Sequence, residues 1–345
     1  MKHLAPLDAA RSALHQSLLD IPAPSVDVAR PLALLNRCPA AAETPLVEAP
    51  DLAARCGAGS VFIKDERNRM GLGSFKALGA AYVIARDAED GPVAHNTYVT
   101  ASAGNHGMSV AAGARVFGAK SVIYIAETVP EAFADRLRAQ GADVRREGAI
   151  YEDSMAAAAR AAEANGWHLL SDSSWEGYTD APWTLMEGYL VLMEEAVRQM
   201  PGPPTHIFLQ AGVGGLAAAA AAYARKAWGT TPRIVIVEPE VSAPIFVSLE
   251  AGAPTVVGGP SSDMGRLDCK EASLIALKGL SRDANDMLTI TEAEGAFGAE
   301  VSDEIGLPST PSGAAGLAGL LAAGDVLGVT EASRILLILS EGPGG

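Results

Sequence analysis

One candidate for covalent chemistry in this sequence is a lysine flanked by small and apolar residues. Lys76 follows Phe75 and the glycine-containing stretch 71–74, and small residues succeed it. Desolvation in such surroundings lowers the pKa of an ammonium and favours the free amine, which can form a Schiff base with a carbonyl. A lysine that extends along a helix surface to solvent would have the same local pattern. Lys76 alone therefore leaves both interpretations open.

A second segment has the composition of an anion-binding turn. Residues 100–107 are Thr-Ala-Ser-Ala-Gly-Asn-His-Gly. Small side chains let backbone N–H groups approach an anion at a helix N-terminus, where the helix dipole adds to the attraction. This pattern favours a carboxylate, although an ordinary strand-to-helix turn has a similar composition. The residues predicted to contact the carboxylate are Ser102, Ala103, Gly104 and His106, and Asn105 adds a side-chain donor.

A third segment is a glycine loop between a predicted strand and a predicted helix. Such a loop can hold a phosphate, because glycines permit close approach and the helix N-terminus supplies donors. The segment lacks the spacing of a dinucleotide-binding fingerprint and the Gly-Lys-Ser/Thr ending of a nucleoside-triphosphate loop. Its residues are Gly212, Val213, Gly214, Gly215 and Leu216. At the end of the last predicted strand, Ser340 supplies a hydroxyl that could bond a heterocyclic nitrogen or simply belong to a turn.

Apolar strands alternate with helices along most of the chain and predict an α/β protein with parallel sheets covered on both faces. In such sheets, ligands bind at the carboxyl ends of the strands, where all four segments fall. Strands are predicted at 61–65, 97–101, 121–127, 168–172, 205–212, 233–239 and 334–342, and helices at 7–20, 74–88, 107–118, from Pro130 to Gly141, at 184–199 and at 215–227.

Composition excludes several classes of protein. The formal net charge of −15 and the lack of Lys/Arg clusters argue against a nucleic-acid partner. Three widely spaced cysteines predict neither a disulfide framework nor a zinc site. No apolar run is long enough to span a bilayer, and the N-terminal residues lack the pattern of a signal peptide, so a cytoplasmic location without membrane contact is expected.

The order of the four segments resembles that of fold-type II pyridoxal 5'-phosphate (PLP) enzymes, the tryptophan synthase β and threonine dehydratase superfamily. Ser-Phe-Lys at 74–76, Ser-Ala-Gly-Asn-His-Gly at 102–107, Gly-Val-Gly-Gly-Leu at 212–216 and Ser-Glu-Gly at 340–342 carry the resemblance, which covers about residues 44–342. The segments 172–178, 204–214 and 237–239 look most like those of diaminopropionate ammonia-lyases.

The resemblance implies a role for each segment. Lys76 would hold PLP as a Schiff base beside Phe75, Asn105 would contact its 3'-oxygen, and Ser340 would face the pyridine nitrogen. The loop 212–216 would bind the phosphate and the loop 102–106 the carboxylate of a small amino-acid substrate. Asp172 matches one of the two acids of the ammonia-lyases and is a candidate acid or base at the leaving group. Ala103 stands where those enzymes have the other acid, an aspartate thought to act on D-substrates.

The resemblance also implies an architecture, a reaction and its alternatives. Two open parallel-sheet domains are expected, a small one at 85–195 inserted into a large one formed by 1–84 and 196–345, with a homodimer as the assembly. The expected reaction is α,β-elimination from a 2,3-diaminopropionate-like amino acid to a 2-keto acid and ammonia. A serine, threonine or 3-hydroxyaspartate dehydratase, a β-replacement synthase and a PLP-binding regulator remain alternatives. No metal is expected, because residues 216–222 offer no side-chain oxygen ligand.

Overall fold

The computed structural model describes residues 1–5 and 8–344 of the chain. These residues form two sheets, of seven and four strands, with helices around them. The strands are β1 (Lys2–Leu4), β2 (Leu46–Glu48), β3 (Ser60–Asp65), β4 (Thr97–Ala101), β5 (Lys120–Ile125), β6 (Asp143–Arg146), β7 (His168–Leu169), β8 (His206–Gln210), β9 (Arg233–Pro239), β10 (Asp286–Ile290) and β11 (Arg334–Leu339).

The helices alternate with these strands over most of the chain. A short 3-10 helix at Arg69–Gly71 precedes the longer helix that carries Lys76. The α-helices are α1 (Asp8–Ser17), α2 (Ala29–Leu35), α3 (Pro50–Cys56), α4 (Lys76–Asp90), α5 (Asn105–Val116), α6 (Glu131–Ala139), α7 (Tyr151–Asn165), α8 (Asp180–Gln199), α9 (Gly215–Trp228), α10 (Pro244–Ala251), α11 (Leu274–Asp283), α12 (Glu292–Glu304) and α13 (Ala315–Ala323).

The larger sheet has a parallel centre and antiparallel edges. Its strand order is β1-β10-β9-β8-β11-β3-β2, and the five central strands pair in parallel. These strands are apolar along nearly their whole length because helices cover both faces. The edge strands β1 and β2 pair antiparallel, which the apolar pattern did not indicate because each has only three, partly exposed residues.

The smaller sheet comes from one continuous part of the chain. Its order is β6-β5-β4-β7, all parallel, and its strands lie between β3 and β8 in the sequence. The predicted domain boundaries at 84/85 and 195/196 fall inside α4 and α8, two helices that pack against each other. One apolar core runs from the smaller sheet through both helices into the larger sheet. The division into two domains stays a prediction.

The sequence placed most elements correctly and some ends differently. The strands 97–101 and 233–239 match β4 and β9 residue for residue, whereas β7 has only two residues. The predicted helix 7–20 begins at Asp8 and ends at Ser17, and residue 7 lies outside the described residues. Within residues 1–5 and 8–344, no helix combines the length and apolar character needed to cross a membrane.

A buried cluster of charges holds the turn that precedes Lys76. Arg69 donates hydrogen bonds to Glu66 and to Glu195, and Lys64 Nζ lies 2.7 Å from Glu195 Oε2. Arg69 and Lys64 are fully buried, so the two carboxylates compensate for the hydration that the cations lose. Glu195 belongs to α8, and the cluster therefore fixes the turn at 69–71 to that helix.

Candidate active site

Lys76 is placed by the end of the last strand. It is the first residue of α4, and the residues before it run beside those that follow β11. The Phe75 amide donates to the carbonyl oxygen of Ser340 (3.1 Å), and the Gly342 amide donates to that of Gly73 (3.0 Å). These bonds join residues about 270 positions apart and fix the origin of the Lys76 side chain.

The ammonium of Lys76 forms an ion pair with the carboxylate of Asp172. Both side chains are mostly buried, 19% and 16% exposed. Burial by itself lowers the pKa of Lys76, but Asp172 more than offsets it and holds that pKa above its usual value. Burial likewise raises the pKa of Asp172, but the charge and the hydrogen bond of Lys76 hold it below its ordinary range. The expectation that desolvation would lower the pKa of Lys76 is therefore wrong for this ion pair.

His106 is a neutral, buried neighbour of this pair. Burial lowers its pKa, so the imidazole stays uncharged at neutral pH. Its Nε2 lies 2.7 Å from the carbonyl oxygen of Leu170, and a carbonyl only accepts, so Nε2 carries the proton. Nδ1 is buried and has no hydrogen-bond partner among residues 1–5 and 8–344. The orphaned Nδ1 is therefore a free acceptor in the interior of the site.

Asn105 is bound by a carboxyl group that the sequence analysis did not single out. Its side-chain amide donates to Oε2 of Glu341, and the hydroxyl of Thr310 donates to Oε1. Glu341 is only 3% exposed, and burial raises its pKa. The sequence signal for Glu341 was its position, as a polar residue, at the end of an apolar strand. The prediction for this turn was made for Ser340 instead.

The predicted carboxylate loop has the close packing that its small residues suggest. The hydroxyl of Ser102 accepts a hydrogen bond from the Gly104 amide (3.3 Å), and Ala103 packs partly buried against the core. A Cβ on Gly107 would lie 2.1 Å from the carbonyl oxygen of Ser102, so only glycine fits there. α5 starts directly after Gly104, and its first backbone N–H groups lack intrahelical acceptors.

The glycine loop before α9 is equally tight. Gly214 has a φ of +92°, a conformation that favours glycine, and α9 begins at the next residue. A Cβ on Gly212 would lie 3.0 Å from the sulfur of Cys269. The loop is anchored at Val213, whose carbonyl oxygen accepts a hydrogen bond from the Ser273 amide (3.0 Å). Leu216 is buried in the first turn of the helix.

Direct contacts bring the four predicted segments into one site. The carbonyl oxygen of Asp172 lies 3.8 Å from the place that a Cβ on Gly215 would take, so the Lys76 pair adjoins the glycine loop. The Arg266 side chain reaches the carboxylate loop at Gly104, and its backbone lies beside Gly212. Glu341 connects Asn105 to the turn of buried Ser340.

Unpaired buried polar atoms gather at this site and fit a polar ligand. Among the described residues, eight side-chain nitrogen or oxygen atoms are buried without a hydrogen-bond partner, and buried polar groups are normally paired. Five of them belong to residues of the site, namely Ser74, Asn105, His106, Arg266 and Tyr189, whose ring centroid lies 5.9 Å from Nζ of Lys76. With the lysine and the glycine loop, they match the needs of a phosphorylated aldehyde. No group of three or more His, Cys, Asp or Glu in residues 1–5 and 8–344 is arranged to hold a metal ion.

The family of the chain follows from a match over most of its length. Residues 38–341 match the family described as pyridoxal-phosphate-dependent enzymes, and the chain belongs to that family. Its cofactor is therefore PLP, and the fold-type II resemblance inferred from the sequence is confirmed.

The similar curated proteins include two diaminopropionate ammonia-lyases. The enzyme of Salmonella typhimurium is 34% identical over 273 residues, 71% of this chain and 68% of the relative. The enzyme of Escherichia coli is 33% identical over 306 residues, which are 81% of this chain and 77% of the relative. An L-threonine dehydratase of Burkholderia multivorans is 35% identical over 213 residues, 61% of this chain and 40% of the relative.

The solved structures agree with this assignment. One is diaminopropionate ammonia-lyase from E. coli in complex with an aminoacrylate–PLP azomethine reaction intermediate, which matches with a TM-score of 0.83 at 30% identity. The match covers 92% of this chain and 88% of the chain of that structure. A processed threonine deaminase from Solanum lycopersicum, with a TM-score of 0.81 at 22% identity over 93% and 86% of the two chains, shares the fold.

Proposed function

We propose that the protein is a PLP-dependent ammonia-lyase that acts by α,β-elimination on a small β-substituted amino acid similar to 2,3-diaminopropionate. With that substrate, the Cα–H bond and the Cβ–N bond break, one water is consumed, and pyruvate and two molecules of ammonia form. The observation that carries the proposal is the buried pair of Lys76 and Asp172 beside the glycine loop. The similarity to diaminopropionate ammonia-lyases supports it.

Residues around Lys76 supply the contacts that PLP needs. We assign the covalent attachment to Lys76, the 3'-oxygen contact to Asn105 and the pyridine-nitrogen contact to Ser340. The phosphate would lie against residues 212–216 at the N-terminus of α9, and the Phe75 ring lines the lysine at 5.2 Å from Nζ. When bound, PLP supplies an electron sink for the bond that breaks at the substrate α-carbon.

Asp172 has the position of an acid–base group for the leaving group. Its pKa is low mainly because the Lys76 ammonium is adjacent and outweighs burial. When the Lys76 nitrogen no longer carries that positive charge, burial raises the pKa of Asp172 from this low value. The carboxyl can then more readily take up a proton and deliver it to a departing amine or hydroxyl.

The loop 102–106 would hold the substrate carboxylate. α5 begins at Asn105, so its first backbone N–H groups lie at this loop, and the helix dipole favours an anion there. His106 is neutral and keeps a free acceptor at Nδ1, so it adds no second positive charge to this loop.

A substrate panel tests the proposal. Purified holoenzyme is assayed for 2-keto acid and ammonia with 2,3-diaminopropionate, serine, threonine and 3-hydroxyaspartate. Lys76→Ala is expected to abolish turnover and the visible Schiff-base absorption. Asp172→Asn is expected to keep the absorption and lower kcat about 10²- to 10⁴-fold, whereas Asp135→Asn, on the exposed side of α6, serves as the matched control.

Two results would contradict the proposal. A colourless but active wild-type protein would exclude PLP chemistry. Release of a 2-keto acid only after a second nucleophile is added would indicate a β-replacement synthase instead. A dehydratase remains the second candidate, favoured by the similarity to L-threonine dehydratase, and it differs only in that the leaving group is water.

We also propose the predicted division into domains, with 85–195 inserted between 1–84 and 196–345. The four parallel strands at 97–169 support it, since they form their own sheet within that range. A homodimer and a cytoplasmic location stay predictions from the sequence. Light scattering of the purified holoenzyme at micromolar concentration would report the number of chains per particle.

A further inference from the structure

Arg266 brings a positive charge to the loop that we assign to the substrate carboxylate. A Cβ on Gly104 would lie 3.0 Å from the Arg266 Cζ and 3.1 Å from Nη1, so the guanidinium packs directly on that loop. Its other side faces the Phe133 ring at 5.7 Å. The side chain is 31% exposed and thus lies at the opening of the site.

The hydrogen-bonding capacity of this guanidinium is unused. Within the part of the chain that the structure describes, Nε of Arg266 is buried without a hydrogen-bond partner. The closest carboxyl oxygen, Oε2 of Glu341, is 3.9 Å away and already accepts from Asn105. A guanidinium has five N–H donors in a planar array that matches a carboxylate. Arg266 therefore has the donors and the position to bind an anionic group of a ligand.

Other charges of the site are already compensated. Lys76 and Asp172 form an ion pair, and both carboxyl oxygens of Glu341 accept hydrogen bonds, one from Asn105 and one from Thr310. The start of α5 provides donors for one carboxylate, so the Arg266 guanidinium beside it is available for a second. A second carboxylate on the substrate would form two parallel, charge-assisted hydrogen bonds with this guanidinium.

We infer that Arg266 selects substrates with a second carboxylate, namely β-substituted dicarboxylic amino acids. The inference rests on the proposed lyase function and specifies its substrate class. For a β-hydroxy dicarboxylic amino acid, the Cα–H and Cβ–O bonds break, water leaves, and hydrolysis returns one water. The net products are a 2-oxo dicarboxylic acid and ammonia.

Kinetics with matched substrates test this selection. We expect the wild-type kcat/KM to be at least tenfold higher for 3-hydroxy-L-aspartate, as its threo or erythro form, than for L-serine. Arg266→Gln should lower the value for 3-hydroxyaspartate by a factor at least ten times larger than the factor by which it lowers the value for serine. Arg266→Lys should retain an intermediate preference, because it keeps the charge and loses the planar array. Arg160→Gln, at an exposed arginine of α7, is the control variant.

Binding without turnover gives an independent measurement. Calorimetric titration of the holoenzyme with succinate and with butyrate compares a dicarboxylate with a monocarboxylate of the same length. The loss of affinity caused by Arg266→Gln should be at least tenfold larger for succinate than for butyrate. The inference would be overturned if Arg266→Gln lost the same affinity for succinate as for butyrate, or the same kcat/KM for 3-hydroxyaspartate as for serine. Loss of the PLP absorption in this variant would also overturn it.

The experiments distinguish a failure of the proposed lyase function from a failure of the proposed role of Arg266. If none of the tested amino acids yields a 2-keto acid and ammonia, the lyase function is wrong. If 2,3-diaminopropionate or serine is turned over efficiently and 3-hydroxyaspartate is not preferred, the lyase function stands and the role of Arg266 is wrong.

Discussion

The side-chain amide of Asn105 donates a hydrogen bond to the Glu341 carboxyl group, although 236 positions separate the two residues in the sequence. The second carboxyl oxygen accepts from Thr310, so Glu341 is fixed at both oxygens. The Asn105 amide is thereby held with its Oδ1 buried and unpaired. Glu341 is thus a positioning residue for the amide that we assign to the 3'-oxygen of PLP.

Truncation of Glu341 is expected to weaken cofactor binding. Glu341→Ala removes the acceptor for Asn105 and leaves a buried donor unsatisfied, so the affinity for PLP should fall about tenfold. Glu341→Gln keeps a carbonyl acceptor of the same length and should retain most of the affinity. The measurement is titration of the protein with PLP, followed at the visible absorption band. Equal affinity of the alanine variant and the wild type would refute the positioning role.

The buried charge cluster before Lys76 should make a large contribution to stability. Glu195 accepts hydrogen bonds from Arg69 and lies 2.7 Å from Nζ of Lys64, and both cations are fully buried. Glu195→Gln leaves these cations with a single neighbouring carboxylate and should lower the free energy of unfolding by about 3–5 kcal/mol. Urea denaturation of the holoenzyme measures the change.

An exposed ion pair provides the comparison for Glu195. Glu131 binds Arg138 and Arg146 at the surface, and such pairs contribute at most about 1 kcal/mol. Glu131→Gln should therefore change the free energy of unfolding only slightly. If both variants lost the same stability, burial would not be the reason for the effect.

The sequence predicted the parallel strands well because burial on both faces leaves an unbroken apolar run. β4 and β9 are such runs, and their ends were predicted to the residue. The edge strands β1 and β2 were missed, since three partly exposed residues have no distinguishing pattern. The buried parallel strand β10 was missed as well, because Asp286 and Thr289 interrupt its apolar residues. Local composition thus sufficed only where the apolar run of a buried strand is long and unbroken.

The candidate site likewise contains residues that local motifs predicted and residues that only contacts distant in the sequence place there. Lys76, Asn105 and the loop at 212–216 belong to local motifs, so their types and spacing were informative. The placement of Arg266 against Gly104 joins residues 162 positions apart, in a segment without helical or strand periodicity. The pKa of Lys76 also depends on Asp172, 96 residues away, which is why desolvation alone predicted the wrong direction.

Glu238 should make stability depend on pH. It is fully buried at the end of β9, and burial raises its pKa to about 8 although the amides of Ile245 and Phe246 donate to it. The folded state therefore binds this proton more tightly than the unfolded state, in which the pKa is about 4.5. The stabilising contribution is complete below about pH 4.5 and is lost as the pH rises toward 8.

A comparison with Glu238→Gln isolates this contribution. Glutamine does not titrate, so the free energy of unfolding of the wild type minus that of the variant should fall by about 1.4 kcal/mol per pH unit between about pH 5 and 8. Urea denaturation of both holoenzymes at several pH values gives the difference. Glu250→Gln, at an exposed position of α10, should show no such slope. A constant difference for Glu238→Gln would mean that the carboxyl is charged in the fold throughout.

The last prediction concerns the configuration of the substrate. Ala103 packs partly buried between Ser102 and Gly104, at the position where the resemblance to diaminopropionate ammonia-lyases implies an aspartate that acts on D-substrates. Without that carboxylate, Asp172 and Lys76 are the acid–base groups that remain, and we expect a preference for L-substrates. The preference should be at least about tenfold, because one positioned acid–base group contributes about a hundredfold or more.

Ala103→Asp restores the carboxylate and should raise activity toward D-substrates selectively. The measurement is kcat/KM for both enantiomers of each active substrate, in the wild type and in the variant. Ala103→Asn serves as the control, since it has nearly the same shape as aspartate and cannot accept the α-proton. If both Ala103→Asp and Ala103→Asn raise kcat/KM for D-substrates, the cause is the shape of the new side chain and not proton transfer. Equal rates for the two enantiomers in the wild type would show that another group, such as His106, already removes the D-configured proton.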